Sequence, residues 1–140
     1  MADAHFHLEI VTPDGIIFKD DVDEIRVPTE NGEITILPHH VPLYTRLAEG
    51  ELHIKRGGKE TLIAVMSGIV QVEKTFTNII SDYAVHADSI QVARAEEAKK
   101  RAEEIMKNQK NTAEFALADK DLRKSILELK VAKKIRHKSQ

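Results

Sequence analysis

The sequence lacks cysteine and tryptophan and contains few aromatic residues. Its 140 residues include no Cys, which excludes both a disulfide framework and a thiolate metal site. Aromatic residues make up 4% of the chain, so Val, Ile, Leu and Ala must build the core. No stretch approaches the ~20 apolar residues that span a bilayer. The first seven residues lack the basic and apolar regions of a secretory signal. We therefore expect membrane association only through a partner.

Charge is distributed unevenly along the chain, although the net charge is only −2. Residues 1–87 carry 7 Lys and Arg against 14 Asp and Glu, a net charge of −7. Residues 88–140 carry 14 against 9, a net charge of +5. This asymmetry indicates either two segments with different partners or two differently solvated surfaces.

The first 87 residues have the pattern of short strands. Phe6, Leu8 and Ile10 alternate with polar residues, a period of two. The dipeptides Asp14-Gly15, Asn31-Gly32 and Gly57-Gly58 supply the positive φ of tight hairpin turns. The pattern predicts a small antiparallel β-sandwich or barrel over residues 1–87. Further strands are predicted around residues 22–27, 34–37, 52–54, 62–66, 69–72 and 76–80, with a possible bulge at Asp23-Glu24.

Residues 88–140 have the pattern of helices. No Gly or Pro occurs after Ile90, and good helix formers dominate. Two antiparallel helices joined by a turn near residues 108–112 are predicted, with one continuous coiled coil as the alternative. Asp88 or Ser89 is the expected N-cap of the first helix and Thr112 that of the second. The expected stripes are Ala95, Ala98, Ala102 and Ile105 on the first helix, and Phe115, Ala118, Leu122, Ile126 and Leu129 on the second.

The predicted packing contact between the two helices, here called the helix seam, is weak. A buried Leu, Ile or Phe contributes roughly 1.5–3 kcal/mol, and Ala buries far less area. The first helix offers mostly Ala to the seam. We therefore expect a weakly held element that opens with small free-energy changes.

The sequence offers little support for an enzyme or a metal protein. His5 and His7 share one face of a strand, and His39, His40 and His53 could lie near them. No third ligand is specified at a metal-binding spacing, so these residues are better explained as surface or partly buried histidines. No phosphate loop, nucleophile elbow or HExxH helix occurs. A free-standing metal-binding β-domain or enzyme remains the alternative function, and no cofactor is expected.

The C-terminal segment 130–138 is basic. Nucleic acid is one conceivable partner, but no aromatic residue interleaves with the cations and the whole chain is slightly acidic. An acidic protein surface, or a solvated helix end, explains the segment better.

Four segments in register resemble a known family. They are residues 11–15 (VTPDG), 31–43 (NGEITILPHHVPL), 64–72 (AVMSGIVQV) and 93–102 (ARAEEAKKRA). Together they resemble the epsilon subunit of bacterial and chloroplast ATP synthases, over essentially the whole chain. The resemblance implies an α+β fold, with a β-sandwich at residues 1–87 followed by a regulatory helical hairpin at 88–140.

The resemblance also implies partners. It implies a non-catalytic rotor subunit in the central stalk of the proton-translocating enzyme, at the cytoplasmic face of the cell membrane. The sandwich would bind the gamma subunit and the c-ring, which the loop with Glu33, Pro38, His39 and His40 would face. The hairpin, when extended, would meet an acidic segment of the catalytic β subunit and inhibit ATP hydrolysis. The cations implied in that contact are Arg123, Lys124, Lys130, Lys133 and Lys134.

This sequence departs from the family pattern at two places. The usual Pro-Gly-His reads Pro38-His39-His40, so a positive φ at His39 would cause strain. The family's ATP-binding motif Ile-Asp-x-x-Arg-Ala reads IQVARA at residues 90–95. Gln91 replaces its carboxylate, and Val85 takes another position that is acidic in ATP-binding members. We expect weak or absent ATP binding, with Arg94 and Arg101 as the surviving candidates and salt bridges to nearby Glu as their alternative role.

Overall fold

The chain folds into two compact units. A computed structural model describes residues 4–108 and 112–138. The first unit, Met1–His86, is here called the sandwich unit. The second, Ala87–Gln140, is called the helical unit.

The sandwich unit contains ten strands. They confirm the sandwich and add three strands that the sequence did not predict, β2, β5 and β10. The strands are β1 (Phe6–Thr12), β2 (Gly15–Val22), β3 (Glu24–Thr29), β4 (Gly32–Ile36), β5 (Leu43–Leu47), β6 (Gly50–Arg56), β7 (Lys59–Val65), β8 (Gly68–Val72), β9 (Phe76–Ser81) and β10 (Ala84–His86).

The strands form two layers of five. One layer has the order β10-β7-β6-β3-β4 and the other β5-β8-β9-β1-β2. The single pair Thr29 and Leu47 joins them through β3 and β5. All pairs are antiparallel except β1 with β9, which runs parallel from His7 opposite Phe76 to Val11 opposite Ile80. The predicted antiparallel arrangement therefore has one exception.

The core lies between the two layers. The inward residues of β1, Phe6, Leu8 and Ile10, are buried as the period of two predicts. They pack with branched residues from the other layer, including Ile25 and Ile54. Branched side chains favour strands because they pack well on a pleated surface.

The predicted turn glycines have the expected conformations. Gly15 and Gly32 have φ values of 128° and 112°, and both close hairpins. The threonine three residues earlier supports each turn: the Thr12 hydroxyl donates to the Gly15 carbonyl at 3.3 Å, and Thr29 donates to Gly32 at 2.6 Å. The same hydrogen bond from a threonine hydroxyl to a glycine carbonyl therefore supports both hairpin turns.

Gly68, at the start of β8, is required for a different reason. A Cβ atom at this position would lie 2.0 Å from the Ile80 carbonyl oxygen and 2.8 Å from the Ser81 Cα. Both are backbone atoms of β9, so no side-chain rotation relieves the clash. Only glycine allows β8 and β9 to approach this closely.

The helical unit begins with a short 3-10 turn, Ala87–Ser89, followed by α1 (Val92–Asn108) and α2 (Thr112–Lys138). The Ala95 N–H donates to the Gln91 carbonyl at 3.0 Å, which makes Gln91 the N-cap residue. The predicted cap at Asp88 or Ser89 is therefore wrong, because the 3-10 turn occupies those positions. The predicted connection at 109–111 and the Thr112 side chain lie outside the described residues.

The buried residues of α1 are small, whereas α2 buries both small and large residues. Ala95 and Ala102 are buried on α1. On α2, Ala118, Ser125 and Ala132 recur every seven residues and are buried, and so are Leu127 and Val131. Ile105 near the end of α1 shares a pocket with residues near the start of α2, as an antiparallel pair requires. The predicted α2 stripe is wrong at Phe115 and Ile126, which are 40% and 46% exposed, and Ile105 on α1 is 38% exposed.

Candidate functional surfaces

The loop between β4 and β5 forms a tight turn. The His40 N–H donates to the Leu37 carbonyl at 3.2 Å, and His39 has φ of 65°. Pro38 followed by a positive-φ residue is the signature of a type II turn. The condition under which strain was expected at His39, a positive φ, is therefore met. The His40 Nδ1 also lies 2.6 Å from the Val41 carbonyl, which fixes its imidazole ring.

The residues around this turn are apolar and exposed. Leu37 is 50% exposed, and Val41 and Tyr44 are each 71% exposed. We call Leu37, Val41 and Tyr44 the loop patch. Leu37 and Val41 flank the turn, and Tyr44 follows in β5. Exposed large apolar side chains close together in the chain make this segment a candidate interaction surface.

Glu33 lies apart from the turn. It belongs to β4, where its carboxylate lies 3.9 Å from Arg26 of β3. Five residues of extended chain, about 16 Å, separate it from Pro38. The structure therefore brings Pro38, His39 and His40 together but places Glu33 on the sheet.

A second apolar surface crosses the outer face of the layer β5-β8-β9-β1-β2. Ile69 of β8 pairs with Ile80 of β9, Ile80 with Val11 of β1, and Val11 with Ile16 of β2. Directly paired residues project from the same face of a sheet. Ile16 and Ile80 are each 56% exposed. These four residues, Ile16, Val11, Ile80 and Ile69, are called the apolar row.

Sequence reasoning missed the apolar row. Its signal is the doubled apolar residues Ile16-Ile17 and Ile79-Ile80. In a strand, one member of such a pair faces the core and the other faces outward. Ile79 is fully buried while its neighbour Ile80 is exposed, as this rule requires.

The two arginines of the ATP-motif region lie on α1. Arg94 and Arg101 are seven residues apart, so they project from one side of the helix, and both are exposed. The salt bridges to neighbouring Glu that the sequence favoured do not form among the described residues. Gln91, where the motif needs a carboxylate, is exposed immediately before α1.

The five candidate cations of α2 do not share one face. Arg123, Lys130 and Lys133 are exposed and fall on the side of α2 that carries the exposed Ile126, at spacings of three and four. Lys134, four residues after Lys130, is also exposed and lies on the same side, whereas Lys124 projects from another side of the helix. Arg123 also contacts Asp119 at 3.4 Å, an exposed pair that contributes little to stability. We call Arg123, Ile126, Lys130, Lys133 and Lys134 the basic face.

A shallow pocket lies between α1 and α2. It has a volume of about 210 Å³ and is lined by Ile105, Glu114, Leu117, Ala118 and Asp121. This volume is below the range of typical ligand pockets, about 300–1,000 Å³.

The histidines predicted as possible metal ligands contact carboxylates and an arginine. His5 lies 2.6 Å from Asp23 and His7 lies 3.1 Å from Asp21, while His53 contacts Arg26 at 3.0 Å. The Gly57 N–H donates to Asp23 and lowers the pKa of that carboxyl, and the His5 contact lowers it further. Among the side chains that the structure describes, no three from His, Asp or Glu are placed to hold a metal ion.

The fold and its surfaces define a class of protein: a β-sandwich joined to a helical hairpin, with apolar and basic surfaces for macromolecular partners. Two family models match the chain. The model for the beta-sandwich domain of the ATP synthase delta/epsilon chain matches residues 5–87, and the model for its long alpha-helix domain matches residues 88–133.

Curated relatives match over nearly their whole length. The ATP synthase epsilon chain of Chloroflexus aggregans is 43% identical over 126 residues, which cover 90% of this chain and 91% of that one. The epsilon chain of Dehalococcoides mccartyi is 39% identical over 138 residues, which cover 98% and 99%. The chain therefore belongs to the ATP synthase delta/epsilon family. It is a non-catalytic subunit of a rotary ATP synthase.

Solved structures share the fold. A chain of the Euglena gracilis mitochondrial ATP synthase structure, described as OSCP/F1/c-ring, has a TM-score of 0.67 and 20% identity, and the match covers 100% of this chain and 84% of that one. A chain of the Tetrahymena thermophila central stalk/c-ring structure has a TM-score of 0.59 and 14% identity, covering 91% and 96%.

Over the described part of the chain, neither helix has the length and hydropathy of a membrane-spanning segment.

Proposed function

We propose that this chain joins the gamma subunit to the c-ring through its sandwich unit and restrains ATP hydrolysis through its helical unit. The apolar row supports the first part of this proposal, the contact between the sandwich unit and the gamma subunit. Four branched side chains lie side by side on one outer face, and two of them are more than half exposed. Such a surface gains free energy when a partner covers it, at roughly 25 cal/mol per Å². The gamma subunit is the partner proposed for this row.

The loop patch is the proposed contact with the c-ring. It lies on the chain segment that includes Pro38, His39 and His40, and the type II turn holds this segment in one conformation. A preorganised loop loses less entropy on binding than a mobile one. We propose that the complex lies at the cytoplasmic face of the membrane, where the subunit associates only through its partners.

Two single substitutions test these assignments against each other. Ile80→Asp places a charge in the apolar row, and Val41→Asp places the same charge in the loop patch. We expect Ile80→Asp to weaken binding to purified gamma by at least about tenfold, because a buried unpaired charge is costly. Val41→Asp should leave gamma binding within about twofold and reduce retention of the gamma–epsilon pair on the c-ring. Each variant is the matched control of the other.

Equal losses of gamma binding in both variants would contradict separate surfaces. Unchanged binding in Ile80→Asp would remove the apolar row from the gamma interface. Circular dichroism of both variants verifies that they are folded, which exposed substitutions are expected to permit.

The basic face supports the second part of the proposal, that the helical unit restrains ATP hydrolysis. Arg123, Lys130, Lys133 and Lys134 lie with Ile126 on the exposed side of α2. An acidic segment of the catalytic β subunit complements this charge, and Ile126 adds an apolar contact. With 27 residues, α2 is about 40 Å long, which allows it to reach well beyond the sandwich when extended.

The five cations divide into a test set and a control. Replacing Arg123, Lys130, Lys133 and Lys134 together by Gln should raise ATP hydrolysis by the assembled enzyme, and the inhibition that remains should depend less on salt. Lys124→Gln is the control for Lys130→Gln and should have the smaller effect. A larger effect from Lys124→Gln, with the subunit shown to be bound, would contradict the assignment to the basic face.

Nucleotide binding by the helical unit is proposed to be weak. Arg94 and Arg101 remain exposed on one side of α1, but Gln91 offers no carboxylate. Gln91→Asp should tighten ATP binding in calorimetry, with Gln109→Asp as a control outside the motif. Micromolar binding by the unmodified chain would contradict this proposal.

A further inference from the structure

The last strand of the sandwich unit, β10, is three residues long and lies at an edge. It pairs with β7 only, from Ala84 opposite Val65 to His86 opposite Ile63. The strand β2 lies at the opposite end of the strand order. A three-residue edge strand with one ladder is weakly held and prone to fray.

The side chain of His86 connects these two edges. Its Nε2 lies 2.9 Å from the Ile17 carbonyl oxygen in β2. A carbonyl accepts, so Nε2 carries the donated hydrogen. The imidazole also lies beside the Phe18 ring, with the centroids 6.5 Å apart.

A bulge in β2 accounts for this contact. Phe18 pairs with Ile10 and Ile16 pairs with Val11, so Ile17 has no partner opposite it in the β1–β2 ladder. A bulge residue is left out of the regular ladder and can contact a group outside it. The bulge in one edge strand thus faces the histidine of the other.

His86 is also the last residue of the sandwich unit, and the helical unit starts at Ala87. We propose that His86 is a latch: its bond to Ile17 and its packing on Phe18 hold β10 in place and thereby fix the point from which the helical unit departs. Loss of the latch releases β10 and lengthens the connection between the units by up to about 10 Å, three residues of extended chain. The latch itself does not depend on the inhibitory role, but its regulatory consequence rests on the proposed function.

Amide hydrogen exchange of the full chain tests the latch directly. His86→Ala removes both contacts, whereas His86→Gln keeps a side-chain donor but no ring. His7→Ala is the control, because His7 is also a half-buried histidine, but it lies on β1 and contacts the Asp21 carboxylate. We expect exchange in residues 84–86 to rise about tenfold in His86→Ala, less in His86→Gln and not at all in His7→Ala.

Unchanged exchange of residues 84–86 in His86→Ala would overturn the latch. If His86→Ala fails to fold, the exchange of residues 84–86 in His86→Gln is the test. Slow exchange of these residues in His86→Gln supports the hydrogen bond to Ile17. Exchange at the rate of an unstructured segment overturns the proposed latch. ATP hydrolysis by the assembled enzyme with each variant then measures the regulatory consequence separately. A change confined to the His86 variants is expected there.

Discussion

The sandwich unit and the helical unit bury different kinds of side chain. The sandwich core consists of branched and aromatic residues such as Ile25, Ile54 and Phe6, all almost fully buried. Most buried residues of the helical unit are Ala or Ser, with Leu127 and Val131 as the larger ones, while Phe115 and Ile126 remain exposed. Each buried Ile contributes about 1.5–3 kcal/mol, and each buried Ala contributes much less.

This difference relates stability to function. A rotor element that transmits torque must keep its shape, which a core of large branched side chains provides. A regulatory element must change its contacts at a low free-energy cost, since about 1.4 kcal/mol shifts a two-state population tenfold. In the regulatory role proposed for the helical unit, the small buried residues and the exposed apolar ones of α2 would lower the cost of exchanging partners.

The largest effect is expected at Gly68. Gly68→Ala places a methyl group 2.0 Å from the Ile80 carbonyl oxygen, so β8 and β9 must separate. We expect a loss of at least about 3 kcal/mol of unfolding free energy, or failure to fold. Gly50→Ala is the control, because its Cβ would meet the Pro28 side chain at 3.1 Å rather than backbone. Equal stability of the two variants in urea unfolding would contradict the close approach.

A pair of truncations compares the two cores directly. Ile25→Ala should destabilise the sandwich unit by about 2–5 kcal/mol, because it leaves a cavity between the layers. Ala102→Gly should cost about 1 kcal/mol, mostly through helix propensity. Chemical unfolding followed by circular dichroism measures both. A larger loss of unfolding free energy in Ala102→Gly than in Ile25→Ala would contradict this comparison.

A smaller effect of opposite sign is expected at His39. His39→Gly should stabilise the sandwich unit by about 1 kcal/mol, because glycine adopts φ of 65° without the Cβ clash. His40→Gly is the matched control and should not stabilise the protein, since it removes the contact with Val41. Thermal unfolding of both variants gives the comparison. Destabilisation by His39→Gly would show that the histidine side chain itself is needed there.

The smallest effect concerns Asp23. Its pKa is lowered in the folded state, by the Gly57 N–H first and by His5 in addition, so the ionised form favours folding. The resulting stability is present above the ordinary Asp pKa of about 4 and is lost as the pH falls through the folded value. Asp23→Asn should therefore reduce the loss of stability between pH 5 and about pH 3. An unchanged pH dependence would contradict a role for this carboxylate.

The sequence could predict elements whose pattern is regular. Phe6, Leu8 and Ile10 alternate strictly with polar residues, and the predicted strand β1 is found at this position. The strand β2 escaped prediction because the bulge at Ile17 interrupts its alternation, and β10 because three residues carry no period. Parallel pairing of β1 with β9 depends on contacts between distant segments, which no local pattern records.

The surfaces were less predictable than the fold for a related reason. Reasoning from hydrophobicity assigned Phe115, Ala118 and Ile126 to the contact between the helices. Ala118 is buried as predicted, whereas Phe115 and Ile126 are exposed. The residues buried instead are Ser125, Leu127, Val131 and Ala132. The apolar row is created by the pairing register of four strands, so the sequence of a single strand does not reveal it. The strain at His39, by contrast, was predictable because one residue and its neighbour Pro38 determine the turn.

The parallel pairing of β1 with β9 also affects the order of events during synthesis. The strand β1 leaves the ribosome first, but its partner β9 follows about 70 residues later. Until then, Phe6, Leu8 and Ile10 have only β2 beside them, and the layer cannot close. Contacts of such long sequence separation slow folding. The sandwich unit is therefore expected to complete its fold only when the helical unit is already being translated, so that chaperones that bind exposed apolar strands have time to act on the nascent chain.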